Sequence, residues 1–463
     1  MMKEYDLVVV GGGPGGYVAA LRARTEGASV ALVEARELGG TCLNRGCIPS
    51  KTYLQYADVL ERMDQAREWG IETGEVRVNM SRMLDRKNRV IGRLRSGIES
   101  LIRSRKIELF RGIGTARGDG VVEIGQPDGT IAIRGRSIIL ATGSAPFLPP
   151  IEGLERAKVH TSDTIFDLPE LPSSICIIGG GVIGVEFAQI FASFCVNVTI
   201  VELTDRLIPS EDADASRVLH QALREKGVTI LTGHRVRSVR RKDDGLAEVT
   251  MTYPDGREIT SAYGEVIVCV GRKPNLQGLE PLNLKMNGNH VAVNEYLETS
   301  VPNVYAVGDL IGGYQLAHAA SAEGIVAAVN AVTSSKARMD YRVVPRCIYT
   351  SPEIASVGMS EQEAEKRGYK VRTAVYPLHA SGKAMAMDAR TGFVKVIADS
   401  AYGEILGAVI VGPHATEMIS EASAFLFLEG TVEEMARMIH PHPTLSEGLF
   451  EAAAALTGKG VHM

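Results

Sequence analysis

The chain has 463 residues, and its 50 Lys and Arg against 55 Asp and Glu leave a net charge of −5. Such a length holds about three domains of ~150 residues, and the even charge with no long basic run excludes a nucleic-acid surface. No apolar run reaches the ~18 residues of a membrane span, and Met1–Val10 lacks the pattern of a signal peptide; a soluble, cytoplasmic chain without nucleic-acid or membrane partners is expected.

The first predicted elements form a unit that recurs. Residues 6–34 (DLVVVGGGPGGYVAALRARTEGASVALVE) align without a gap with residues 174–202 (SICIIGGGVIGVEFAQIFASFCVNVTIVE) at an offset of 168. Gly11, Gly13, Gly16 and Glu34 map onto Gly179, Gly181, Gly184 and Glu202. Each copy predicts a strand, a glycine turn, a helix and a second strand ending in an acid, which is a right-handed βαβ unit. One such fingerprint is a weak signal, but strand, helix and acid in their places are the context it requires. Glycines let the backbone approach a pyrophosphate, the helix N-terminus supplies N–H donors, and the acid accepts from a ribose diol. Two dinucleotide sites are therefore expected, with Glu34 as an adenosine-ribose ligand.

Between the copies lies Gly39-Gly40-Thr41-Cys42-Leu43-Asn44-Arg45-Gly46-Cys47-Ile48-Pro49-Ser50-Lys51. In a regular helix residues five apart have Cα atoms about 8.7 Å apart, beyond the roughly 4.4–6.8 Å of a disulfide. Cys42 and Cys47 can therefore bridge only if the segment is distorted or non-helical. A strained bridge is easily reduced, which suits a catalytic disulfide. Of the other cysteines, Cys176, Cys195 and Cys269 lie in apolar segments and read as small buried hydrophobes, and Cys347 reads as structural. Six cysteines are too few for a disulfide scaffold, and no Cys or His cluster suggests a metal site.

Further along, residues 137–146 and 264–275 read as strands running into Ala141-Thr142-Gly143 and Val270-Gly271-Arg272. Glu186 opens the helix of the second copy where the first has Val18; the helix dipole alone would favour an acid there. Residues 303–309 read as a short strand ended by Gly308 and Asp309, with Asp309 placed for the polar chain of a flavin. A small-residue helix runs from His318 to about Val332. The last segment mixes alternating strands (TGFVKVIAD, EILGAVIVG) with apolar helices. Near its end, His440-Pro441-His442-Pro443-Thr444-Leu445-Ser446-Glu447 holds two histidines extended before prolines. A His–Glu pair beside a thiol pair can move protons between them.

With GGTCLNRGCIPSK, GGGVIGVEFA, VGRKPN, YAVGDL, LAHAASAEG, YTSPEIASVG and HPHPTLSEG in this order, the chain resembles the class I pyridine nucleotide–disulfide oxidoreductases. Within them it is most similar to the dihydrolipoamide dehydrogenases. The resemblance implies an α/β fold of two Rossmann-like dinucleotide-binding domains plus a C-terminal α+β dimerisation domain. The expected division is 1–148 for FAD, 149–272 for NAD, 273–345 completing the FAD domain and 346–463 for dimerisation. The FAD and NAD sites would comprise Gly11, Gly13, Gly16, Glu34, Thr41, Lys51, Thr142, Gly143 and Asp309, and Gly179, Gly181, Gly184, Glu202 and Gly271. Cys42 would be the interchange thiol, Cys47 the thiol against the flavin, and Lys51 with Glu186 a pair near it. His442, assisted by Glu447, would be the acid–base catalyst, reaching the cysteines of the other subunit of a homodimer. The implied reaction oxidises dihydrolipoyl groups, free or carried on a partner protein, and passes electrons to NAD⁺. The alternatives are an NAD(P)H-dependent reductase of another disulfide and an inert flavin-binding scaffold. Arg45 and Pro441 depart from the common pattern; Arg45 could lower a thiolate pKa or bind an acidic partner. Glu202 favours NAD over NADP, with Arg206 nearby as a counter-indication.

Overall fold

The computed structural model describes residues 2–460 and 462. Its first sheet runs Glu108–Arg111, Val30–Glu34, Lys3–Val10, Gly129–Leu140, Val121–Gln126, Ile113–Ala116. Lys3–Val10 pairs parallel with Val30–Glu34 (Leu7 opposite Val30) and with Gly129–Leu140 (Leu7 opposite Ser137). The apolar ends of these strands are buried, as expected of a parallel sheet covered on both faces. Helix α1 (Pro14–Thr25) crosses between the first two strands. Short α2 (Gly40–Asn44), α3 (Cys47–Glu68) and α4 (Met80–Ser104) follow.

The second copy builds a second parallel sheet in the order Thr229–Leu231, Asn197–Val201, Ser174–Ile178, Glu265–Val268, His160–Thr161. It carries α5 (Val182–Ser193) and α6 (Ala213–Glu225). The ends of the two units zip together, Ser144–Pro146 pairing antiparallel with Arg272–Pro274. The chain then returns: strand Val304–Ala306 pairs parallel with Gly129–Leu140 of the first sheet. Helix α7 (Ala317–Val332) packs on α1 nearly backbone to backbone, since a Cβ on Gly324 would lie 2.3 Å from the Gly15 carbonyl oxygen.

The third unit is an antiparallel sheet, Arg346–Ile348, Glu353–Gly358, Ile405–Gly412, Phe393–Asp399, Val371–Pro377. Helices α8 (Ala415–Phe427) and α9 (Glu447–Leu456) cover one face. The two strands expected to alternate are instead buried along their whole length. The reason is tertiary: their second face, with Phe393, Val409 and Val411, joins the core of the second unit. Cys176 and Cys269 are buried as expected, but Cys195 is exposed. It occupies the left-handed position (φ 60°) of the turn that ends α5, where Val196 N donates to the Phe191 carbonyl.

Buried ion pairs fasten the units. Lys395 of the third unit reaches Asp212 (2.8 Å) and Asp214 (2.7 Å), while Asp212 also caps α6. Arg346 reaches Glu211 at 3.1 Å, and Ser356 donates to the same carboxylate. On the other side, Glu61 of α3 takes bonds from Gln189 and Ser193 of α5. Helix α3 is thereby laid against α5, with consequences for the site.

Candidate active site

The two glycine turns are closely alike. Gly13 and Gly181 precede their helices with φ, ψ of −72°, −176° and −73°, −176°, and neither helix has a side-chain cap. The first N–H groups of α1 and α5 therefore remain free donors. Gly16 and Gly184 are demanded by close approach, since a Cβ there would meet the carbonyl oxygen of Gly11 at 1.8 Å and of Gly179 at 2.0 Å. A Cβ on Gly181, by contrast, would face open space, and one on Gly13 would meet only the Gly40 Cα at 3.8 Å, an ordinary contact. A phosphate-bearing cofactor fits both cradles: concave bare backbone, free donors and a positive helix end. The second opens into a cleft of about 2090 Å³ lined also by Glu202, Gly271 and Arg272.

The terminal acids do something the sequence reading missed. Glu34 accepts from Gly12 N and Arg36 N, both at 2.6 Å. Glu202 accepts from Gly180 N (2.5 Å) and from Thr204 N and its hydroxyl (2.7 and 2.8 Å). Each braces the middle glycine of its turn. Arg206 donates through Nη2 to the carbonyls of Pro209 and Glu211.

Cys42 sits on α2 and Cys47 is the first residue of α3. The break falls at Arg45 and Gly46, whose backbones leave helical geometry (φ −140°, ψ 0°; φ −127°, ψ −105°). The helix is thus interrupted between the thiols, as a bridge between Cys42 and Cys47 would require. Thr41 approaches Gly46 closely, its carbonyl oxygen lying 3.2 Å from the place of an added Cβ, so a larger residue there would have to push it back. Both cysteines are free thiols and half-buried, and each is the strongest influence on the ionisation of the other. The pair is polarised. Cys47 is pulled down to about 7, first by the hydrogen bond from Cys42, then against burial by the Lys51 charge. Cys42 is pushed far up, first by its bond to Cys47, then by burial. The position of Cys47 at a helix N-terminus works in the same direction.

Lys51, one turn after Cys47, is 2.9 Å from both oxygens of Glu186. Ser50 donates to Glu186 at 2.9 Å and Tyr349 N at 3.1 Å. Glu186 is therefore more than a dipole-favoured acid at the start of a helix; it is buried and pairs across units. Asp309 accepts a 2.5 Å bond from Ser144, whose hydroxyl accepts from Arg272 at 2.7 Å. Thr142 donates to the Asn275 carbonyl, and Asn275 N donates to that of Gly143. The residues around Thr142 and Gly271 are thus brought together at the seam between the units. Arg45 bonds Glu37 at 2.8 Å and faces Asp163 at 3.8 Å. Its acidic partners are internal, and it is not among the groups that shift either thiol.

His442 Nδ1 lies 2.8 Å from Glu447 Oε1, and Glu447 Oε2 accepts from Thr444 N at 2.8 Å. Burial acts upward on Glu447, but Thr444 and His442 outweigh it and hold the carboxyl below its ordinary value. The His442 side chain is 80% exposed, and among the described residues no hydrogen bond joins it to either cysteine. Its neighbour His440 is buried between Glu421 (2.7 Å) and the Met438 carbonyl (3.1 Å). The sequence reading also passed over Glu323, buried in the LAHAASAEG motif, which accepts from Gly308 N at 2.6 Å and from Tyr341 at 2.9 Å.

Residues 5–324 match the pyridine nucleotide-disulphide oxidoreductase family, and residues 344–453 match the dimerisation domain of that family. The chain belongs to this family of oxidoreductases, whose cofactors are FAD and NAD(H). It is 40% identical, over the full length of both chains, to a dihydrolipoyl dehydrogenase of Bacillus subtilis. It is 37% identical to one of Thermus scotoductus, covering 100% of this chain and 99% of the other. Among solved structures it is similar to LpdA from Mycobacterium tuberculosis (TM-score 0.89, 28% identity, 98% and 100% covered). A second is the HOCl-induced flavoprotein disulfide reductase RclA from Escherichia coli, in its Cu(II) complex (TM-score 0.88, 28% identity, 98% and 100% covered). Among the described residues no helix is long and apolar enough to cross a membrane.

Proposed function

We propose that the chain is a dihydrolipoyl dehydrogenase, oxidising dihydrolipoyl groups through Cys42 and Cys47 with NAD⁺ as final acceptor. The observation that carries this is the polarised thiol pair, with Lys51 and Glu186 beside it at the junction of two dinucleotide cradles. The first cradle (Gly11, Gly13, Gly16, Glu34), with Thr41, Lys51, Thr142, Gly143 and Asp309, holds FAD. The second (Gly179, Gly181, Gly184, Glu202, Gly271) holds NAD⁺. Bound FAD supplies the two-electron relay between the thiols and the nicotinamide. Glu202 supports NAD⁺ over NADP⁺. The working domain limits are 1–148, 149–272, 273–345 and 346–463; the first and last limits fall between sheets, while the second lies within the strand Arg272–Pro274 that joins the units.

The residues divide the work. In the oxidised pair a substrate thiolate attacks Cys42 sulfur, breaking the S–S bond and releasing Cys47 as thiolate. The second substrate thiol then closes the lipoyl ring and frees Cys42. His442 accepts the thiol proton, held in orientation by Glu447. Its exposure in one chain supports a role towards the cysteines of a second copy, so the active unit is a homodimer joined through the third unit. The substrate arrives as free dihydrolipoamide or on a lipoyl-bearing protein.

The test is steady-state NADH formation from dihydrolipoamide and NAD⁺. Absence of NADH, with flavin bound, would overturn the reading. His442→Ala is expected to slow this turnover about 10²-fold or more while sparing flavin content; an unchanged rate removes His442 from the mechanism.

A further inference from the structure

Tyr349 belongs to the YTSPEIASVG motif, and nothing in the proposed mechanism uses it. It follows the strand Arg346–Ile348 of the third unit, yet it reaches both members of the pair beside Cys47. Its backbone N–H donates to Glu186 Oε1 at 3.1 Å, and its ring centroid lies 4.2 Å from Lys51 Nζ. Lys51 comes from the first unit, Glu186 from the second and Tyr349 from the third. All three units meet at one ion pair.

The chemistry of the contact is directional. An aromatic face attracts a cation through its quadrupole, and the attraction needs a neutral ring. Burial pushes the Tyr349 phenol up to about 12, helped by Cys347, Glu186, Glu353 and Glu417, so the ring stays neutral. Lys51 has a flexible stem, and its side chain is 34% exposed. Without the ring the ammonium can turn towards water while the Glu186 carboxylate stays buried. Cys47 is faced by Cys42, Lys51 and Glu186, the last acting against its thiolate and Lys51 for it. The position of Lys51 therefore sets the balance.

We propose that Tyr349 is a positioning residue whose ring holds the Lys51 ammonium beside Cys47, so that the third unit controls how readily Cys47 ionises. This rests on the reading of Cys47 as the thiolate of the redox pair.

The experiment is a pH titration of thiolate absorbance in the reduced, flavin-loaded full chain, taking the difference from Cys47→Ser. Tyr349→Leu is expected to raise the Cys47 midpoint by about half to one pH unit, or roughly three- to tenfold less thiolate below the midpoint. Tyr349→Phe keeps the ring and should leave the midpoint in place. In a Lys51→Met background, Tyr349→Leu should add nothing. Equal shifts for Leu and Phe, or a Leu shift that survives Lys51→Met, overturn the inference while leaving the thiol pair intact. A wild-type titration with no Cys47 midpoint near neutrality overturns the site reading and the inference together. Should the Leu variant not fold, Tyr349→Met carries the same expectation.

Discussion

The two βαβ copies share one turn and differ in what their helices touch. In both, a bare glycine N-terminus is braced by a terminal acid, with Gly12 N to Glu34 at 2.6 Å and Gly180 N to Glu202 at 2.5 Å. Away from the turn they part. The first helix buries glycine and alanine against α7. The second buries Phe187, Phe191 and Phe194 in a cluster with Tyr53 and Phe166, and carries Glu186 where the first has Val18. The cradle is a local device set by glycines, strand and acid. The buried Glu186 is a property of the neighbour: α5 meets α3, which carries Cys47 and Lys51, whereas α1 has Val18 at the matching position.

Substitutions can break this comparison or sharpen it. The largest effect is expected where the copies are most alike. Ala at Gly16 or Gly184 drives a Cβ into a carbonyl oxygen at 1.8 or 2.0 Å, costing about 1–3 kcal/mol or more. Gly16→Ala should lose flavin, read by visible absorbance. Gly184→Ala should keep flavin but lose NAD⁺ binding, read by calorimetry. Loss of both ligands in both variants would mean the copies do not act separately. Next comes Glu186→Val, which makes the second copy like the first. It strips Lys51 of its partner, costing about 2 kcal/mol for a pair only part buried, measured by denaturant unfolding. Because Glu186 opposes the Cys47 thiolate, the Cys47 midpoint should fall below about 7, not rise. Smaller still, Glu202→Ala should relax the preference for NAD⁺ over NADP⁺ by about tenfold, as loss of one charged hydrogen bond allows. Glu34→Ala should weaken flavin retention and leave that preference unchanged. The smallest is Val18→Glu, at a half-buried position, expected to change stability by about 1 kcal/mol and to leave Cys47 ionisation where it was. A shift in Cys47 there would mean that position 18 of the first copy reaches Cys47 as Glu186 of the second does.

Much of the site was legible in the chain because its signals are local. The gapless repeat named both turns and both acids, and five-residue spacing required the break that Arg45 and Gly46 make between the thiols. The His442–Glu447 bond was readable because only four residues separate the two and Pro443 keeps His442 out of helix, leaving the carboxylate within reach of the imidazole. Less could be read where burial decides. Phe393–Asp399 and Ile405–Gly412 were expected to alternate, but a second unit covers their far face. Cys195 reads as apolar in its sequence neighbourhood and yet stands exposed in a helix-ending turn. Arg45 looked like a charge for the thiols, and the fold spends it on Glu37 and Asp163.

The sequence by itself determined the two nucleotide cradles, the thiol pair and the His–Glu pair, because each depends on residues within one turn or one βαβ unit. Tertiary structure alone decided which groups surround Cys47. Lys51 and Glu186 are 135 residues apart, and Tyr349 is 163 beyond Glu186. They meet only because α3 lies on α5 and the third sheet packs its second face against the same core. A thiol's acidity is set by charges within a few ångströms, and those distances exist only in the folded chain.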